Sequence, residues 1–167
     1  MARAVNVVVP GVNRVGADEL TYNLHIVLRV ELELALLGGH LPPKDLPEVW
    51  REKSMRYLGV APSDDVSGCL QDVHWALGSF GYFPSYILGN LNAAMLWAQL
   101  QRELPDVDNA LEAGDLAPIT GWLGRMVHAP GARQSAAATI VRITGQPPSA
   151  ASFLHYVEQK FGGAESA

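Results

Sequence analysis

From Ala17 to Leu37 the chain contains neither proline nor glycine, and it sets Leu20, Leu24, Val27, Leu28 and Leu32 at the spacing of one helix face. Asp18 and Glu19 fall in the predicted first turn, where the helix dipole favours negative charge, and Gly38-Gly39 stops the run. The apolar stripe is broad, so a helix buried on most sides is expected here. Such a helix needs other elements to cover it, and the rest of the chain offers mainly further helices.

Pro42-Pro43 open a second helix, predicted to run to about Tyr57 and to end at Gly59; a proline in a first turn removes no hydrogen bond that the helix needed. Residues 61–67 read as a loop. A long helix is predicted from Ser85 to Glu103, with Ile87, Leu88, Leu91, Ala94, Met95, Ala98 and Leu100 facing inward and Pro105 beyond its end. Shorter helices follow at Val107–Ala113, Leu116–Val127, Ala136–Thr144 and Ala150–Phe161, separated by Gly114, Pro130-Gly131 and residues 145–148. Val5 to Val9, closed by Pro10-Gly11, reads as a short extended piece, either an edge strand or an incoming strap. The final GGAESA reads as a fraying tail. No internal repeat is present. The expectation is an all-α, multi-helix fold with at most a short strand pair, formed as a single helical domain over residues 1–167.

The chain has 167 residues, is 49% hydrophobic and carries a formal net charge of −5. That is enough for one domain with its own core. No basic run is available to neutralise phosphates, so nucleic acid is not an expected partner. No apolar run is long enough to span a bilayer, and no signal-peptide pattern opens the chain. The single cysteine, Cys69, excludes an internal disulfide. A cytoplasmic protein is the expectation.

The histidines are His25, His40, His74, His128 and His155, no two of them close enough for an HExxH zinc motif, so no metal site is expected within this chain. No nucleophile elbow frames a serine, and no glycine-rich loop suited to a phosphate occurs. Cys69 lies five residues before His74, which allows a thiol-nucleophile reading against the plainer one of small buried filler. The segment from Gly68 to Tyr86, GCLQDVHWALGSFGYFPSY, is the exception to the helical habit. Gly68 and Gly78 permit backbone shapes closed to other residues, and Gly81 and Pro84 frame a turn into the long helix. Two readings stay open. Trp75, Phe80, Tyr82, Phe83 and Tyr86 form an aromatic plug with satisfied hydroxyls, or His74, Tyr82 and Tyr86 present polar tips at a site, where a tyrosine hydroxyl can stabilise a developing oxyanion.

At the level of motifs, GCLQDVHW resembles the GxxQDxHW signature of the Taq-type zinc metallocarboxypeptidases, and GSFGYFPSYILGNL is similar to the GSFGYFPTYxLGN that follows it there. ADELTYNLHIVLRVELE resembles ADEVTYxLHIxLRxExE, and DLPEVW and TGQPPSAASFLHYVEQKF have family counterparts. The likeness runs from about Arg3 to Phe161.

The resemblance implies the C-terminal third of a longer all-helical peptidase related in fold to the neurolysin group. The family's zinc ligands and catalytic glutamate lie upstream of the matched part. It further implies that His74 would hydrogen-bond a bound peptide and that Tyr86, with Tyr82, would stabilise the tetrahedral intermediate. Arg14, in a stretch like the family's Arg-x-x-Ala-Asp motif, would grip the substrate's terminal carboxylate. Gln71 and Asp72 would shape the loop. Asn13, Gly16 and Pro130 depart from the family pattern, which has an aliphatic residue, a glutamate and a histidine there. The implied function is the substrate-binding part of a zinc carboxypeptidase, inactive alone, its zinc being held in the full-length family. The alternative is a naturally short, non-catalytic homologue acting as a binding or oligomerisation module. Either would associate with a second copy or with the missing N-terminal half, because a large exposed apolar face is poorly tolerated in water.

Overall fold

The structure, a computed structural model, describes residues 6–162. Among the described residues seven α-helices are formed: α1 Tyr22–Leu37, α2 Leu46–Leu58, α3 Pro84–Glu103, α4 Val107–Glu112, α5 Ala117–Leu123, α6 Ala136–Thr144 and α7 Ala151–Phe161. No strand occurs among the described residues. Of the extended piece expected at Val5 to Val9, Val5 lies outside them. Val7 to Val9 form a strap that passes through solvent, pinned where the Val9 N–H donates to Asp18 Oδ2 at 3.0 Å. The end of the GGAESA tail also lies outside the described residues.

The chain divides into two compact units, Met1–Leu88 and Gly89–Ala167. In the first unit α1 packs on α2 around Leu28, Leu32, Leu41, Trp50 and Cys69. Leu28 and Leu32 are at most 1% exposed, and burial of a leucine side chain contributes about 1.5–3 kcal/mol. A 3-10 turn, Pro43–Asp45, precedes α2, which ends at Gly59 in the left-handed conformation (φ 71°).

α1 differs from its sequence expectation in two ways. It starts at Tyr22 rather than at Ala17, because the Asp18 carboxylate acts as a local cap, accepting from Thr21 N at 2.8 Å as well as from Val9 N. Nor is it buried on most sides. Leu24, Leu34 and Leu37 are exposed, and the buried face carries His25, Arg29 and Glu33 among Ile26, Leu28 and Leu32. After α2 the chain runs through turns, without regular structure, until Pro84.

The second unit gathers Leu100, Val107, Trp122 and Ile143. Trp122 Nε1 donates to Glu103 Oε2 at 2.6 Å. The single helix expected over Leu116–Val127 is instead α5 followed by a wide turn of π-helix, Gly124–His128, in which Ala129 N reaches Gly124 O. α6 has the bounds expected of it: Ser135 Oγ caps Ala138 N at 3.2 Å, and Gly145 (φ 73°) closes it.

Candidate functional site

The residues singled out in the sequence, Arg14, Gln71, Asp72, His74, Tyr82 and Tyr86, all belong to the first unit, and the fold brings them together. Their centre is the Asp72 carboxylate, 9% exposed. Its Oδ1 accepts from Arg14 Nε at 3.0 Å and Nη2 at 2.8 Å, and its Oδ2 accepts from Arg29 Nε at 2.5 Å. Burial by itself would raise the Asp72 pKa, but the charges and hydrogen bonds of Arg29 and Arg14 outweigh it and hold the carboxyl below its ordinary range. Burial works against the charge on both arginines. At Arg14 the hydrogen bond and charge of Asp72, together with Tyr22, overcome it, whereas at the fully buried Arg29 it prevails and lowers the pKa. Both guanidiniums remain charged at neutral pH. Asp72 thus serves two guanidiniums, with the buried Glu33 carboxylate one turn along α1 from Arg29.

Arg29 was not anticipated from sequence. It is 0% exposed, donates from Nη1 to the His25 carbonyl at 2.9 Å, and lies over the Trp50 ring at 4.8 Å. His25, Arg29 and Glu33 occupy successive turns of the buried α1 face. His25 faces the Gly11 backbone of the incoming strap, Arg29 holds Asp72, and Glu33 accepts from Trp75 Nε1 at 2.7 Å and from Gly81 N. Three loop segments that carry site residues are thus tied to one rigid helix.

Gln71 joins the strap to the loop. Its Oε1 accepts from Arg14 N at 3.1 Å, and its Nε2 lies 2.8–3.1 Å from the carbonyls of Val12, Ser67 and Gly68. The positive φ needed nearby falls at Gly78 (71°) and Gly81 (79°) and not at Gly68. Gly68 bears on the fold for a different reason: a Cβ there would crowd Asp64 O at 3.0 Å and Pro62 Cγ at 3.1 Å.

His74 Nε2 lies 3.0 Å from the Tyr86 hydroxyl, and its Nδ1 lies 3.7 Å from Asp72 Oδ1. Its ring packs on Phe83 at 4.5 Å and on Tyr82 at 5.6 Å. Arg14 sits over the Tyr86 ring at 5.2 Å. Phe83 and Trp75 pack edge to face as a plug, while Phe80 and Tyr82 are 46% and 51% exposed. Cys69 sits in the apolar core, where burial pushes its thiol pKa up, so it is a poor nucleophile. Among the described residues no three His, Cys, Asp or Glu side chains converge to hold a metal. The acids and imidazole nearest to doing so are engaged otherwise, Asp72 by two arginines and His74 by Tyr86, and these residues do not fit a zinc ion.

The described residues form an all-helical fold with a buried arginine-carboxylate cluster beside a histidine–tyrosine pair, and the comparisons say which family it belongs to. The chain belongs to the Carboxypeptidase Taq (M32) metallopeptidase family, whose model matches residues 1–161. It is 50% identical over 158 residues to thermostable carboxypeptidase 1 of Thermus thermophilus, covering 95% of this chain and 31% of that protein. It is 43% identical over 159 residues to carboxypeptidase 1 of Bacillus subtilis, covering 95% of this chain and 32% of that protein. The crystal structure of the M32 carboxypeptidase from Deinococcus radiodurans superposes with a TM-score of 0.92 at 38% identity, over 96% of this chain and 32% of that one. The chain therefore spans about a third of the length of its relatives.

Proposed function

We propose that this chain forms the substrate-carboxylate-binding wall of a metallocarboxypeptidase, removing C-terminal amino acids from peptides only in concert with a zinc centre held by other residues. The observation that carries the reading is the Arg14–Asp72–Arg29 cluster beside His74 and Tyr86. Arg14 has five N–H donors, of which Asp72 and Tyr22 engage three, leaving one on each Nη. Those two suit the paired oxygens of a peptide's terminal carboxylate. Asp72 fixes the Arg14 fork in place, and Gln71 fixes the backbone that presents it. Both act here as positioning residues.

His74 Nδ1 lies 3.7 Å from Asp72 Oδ1, beyond hydrogen-bond reach, and Nε2 donates to or accepts from the Tyr86 hydroxyl according to the tautomer. Where Nε2–H is the donor, the tyrosine O–H is free to turn toward an oxyanion forming on the peptide carbonyl. Tyr82, exposed against the same histidine, lines the approach. The test is release of C-terminal amino acids from an acylated dipeptide by the purified chain, with and without added zinc. No release is expected in either condition, and zinc-dependent turnover by this chain alone would contradict the reading.

A second reading, a binding or oligomerisation module, is favoured by the apolar side chains of Val66, Leu70, Val73 and Leu77, which are 65–75% exposed. In both readings the chain associates, with a second copy or with a complementary N-terminal part. Sedimentation at micromolar concentration tests this, and a clean monomer counts against it. A cytoplasmic setting fits the free cysteine. No helix among the described residues is long and apolar enough to cross a membrane.

A further inference from the structure

We infer that Glu33 is the positioning residue that sets the His74–Tyr86 pair, by clamping both ends of the turn between them; the inference rests on the proposed role of that pair. Glu33 is 5% exposed and lies on α1, one turn beyond Arg29. Its two oxygens serve separate donors: Oε2 accepts from the Trp75 indole at 2.7 Å, and Oε1 accepts from the Gly81 backbone N–H. Trp75 follows His74 directly, and Gly81 precedes Tyr82 directly. One carboxylate on a rigid helix thus tethers the chain beside His74 and again three residues before Pro84, where the helix that carries Tyr86 begins. The turn has backbone bonds of its own, Gly78 N–H to Trp75 O at 3.0 Å and Ser79 N–H to His74 O at 2.8 Å, but these stop short of Gly81. Gly81 must also be held at φ 79°, a conformation that glycine enters freely but does not prefer over others, so an external tether is what selects it.

The two donors require two acceptors. Glutamine keeps one carbonyl oxygen and turns an NH2 toward the other donor, so Glu33→Gln releases one end of the clamp at nearly unchanged volume. Trp75→Phe releases only the indole end and leaves Gly81 tethered.

The test follows the ring-nitrogen resonances of His74 in the ligand-free chain by NMR, beside thermal unfolding, for the parent, Glu33→Gln and Trp75→Phe. In folded Glu33→Gln the His74 Nε2 resonance is expected to lose the signature of its bond to Tyr86, and Trp75→Phe is expected to show a smaller change of the same kind. Binding of an acylated dipeptide is expected to weaken about tenfold in Glu33→Gln, about what loss of one well-placed hydrogen bond costs. If Glu33→Gln does not fold, Trp75→Phe carries the test. A drop in melting temperature with His74 resonances unchanged in the folded variants would reduce Glu33 to a structural anchor and overturn the inference. Resonances that move while the dipeptide binds neither parent nor variants would uphold Glu33 and sink the carboxylate-receptor reading instead.

Discussion

Acidification should weaken this fold through His25 before it touches the Asp72 cluster. The His25 side chain is 1% exposed, and its Nε2 has no hydrogen-bond partner. Burial first, and then the Arg29 charge, push its pKa from 6.5 down to about 4; Arg14 adds to this, while the Gly11 backbone and Asp72 oppose it. Between those values the folded chain keeps the ring neutral, whereas the unfolded chain protonates it. The stability that neutral burial preserves is complete above 6.5, declines as the pH falls, and stops declining from this source near 4. From 6.5 to about 4, at about 1.4 kcal/mol for each pH unit, the loss comes to ~3 kcal/mol, a large part of a small domain's stability. Asp72, held below the ordinary carboxylate range, contributes its own loss only at lower pH. The assay is urea unfolding at half-unit steps from pH 7 to pH 4.5, for the parent and for His25→Gln. The variant is expected to be less stable at pH 7 yet to show a flatter decline. Parallel curves for the two proteins would refute the reasoning.

Asp72→Asn strips the carboxylate from two buried guanidiniums, and breaking a buried pair in this way typically costs about 3–5 kcal/mol; urea midpoints should show it, together with loss of dipeptide binding. Leu100→Ala, at a position 2% exposed in the core of the second unit, should cost about 2–5 kcal/mol through the cavity it leaves, read by the same unfolding transitions and without effect on His74 resonances. Gly68→Ala places a methyl against Asp64 O and Pro62; a loss of about 1–3 kcal/mol is expected, with perturbed Gln71 side-chain amide signals.

Elements with complete local signals were legible in the sequence. α6 carries its cap at Ser135 and its terminator at Gly145, and its bounds follow. α1 was misplaced at its start because an aspartate followed by a glutamate suits a first turn as well as a cap, and only the strap at Val9 decides between them. The motif residues were legible as chemistry, but not what binds them. Arg29 and Glu33 resemble the solvent side of an amphipathic helix, and their partners lie 42 to 48 residues away, so that no window of local sequence pairs them. The one available signal was the recurrence of His25, Arg29 and Glu33 at four-residue intervals within an apolar run. Gly68 illustrates a different limit, since glycine reads alike whether it supplies a positive φ or only the absence of a Cβ.

The central claim is that Arg14 receives a peptide's terminal carboxylate. The most direct measurement titrates the purified chain with an acylated dipeptide and, separately, with its C-terminal amide, following the Arg14 side-chain Nε resonance. The acid is expected to bind and shift that resonance, with the amide leaving it in place. Equal shifts from acid and amide, or none from either, would contradict the account.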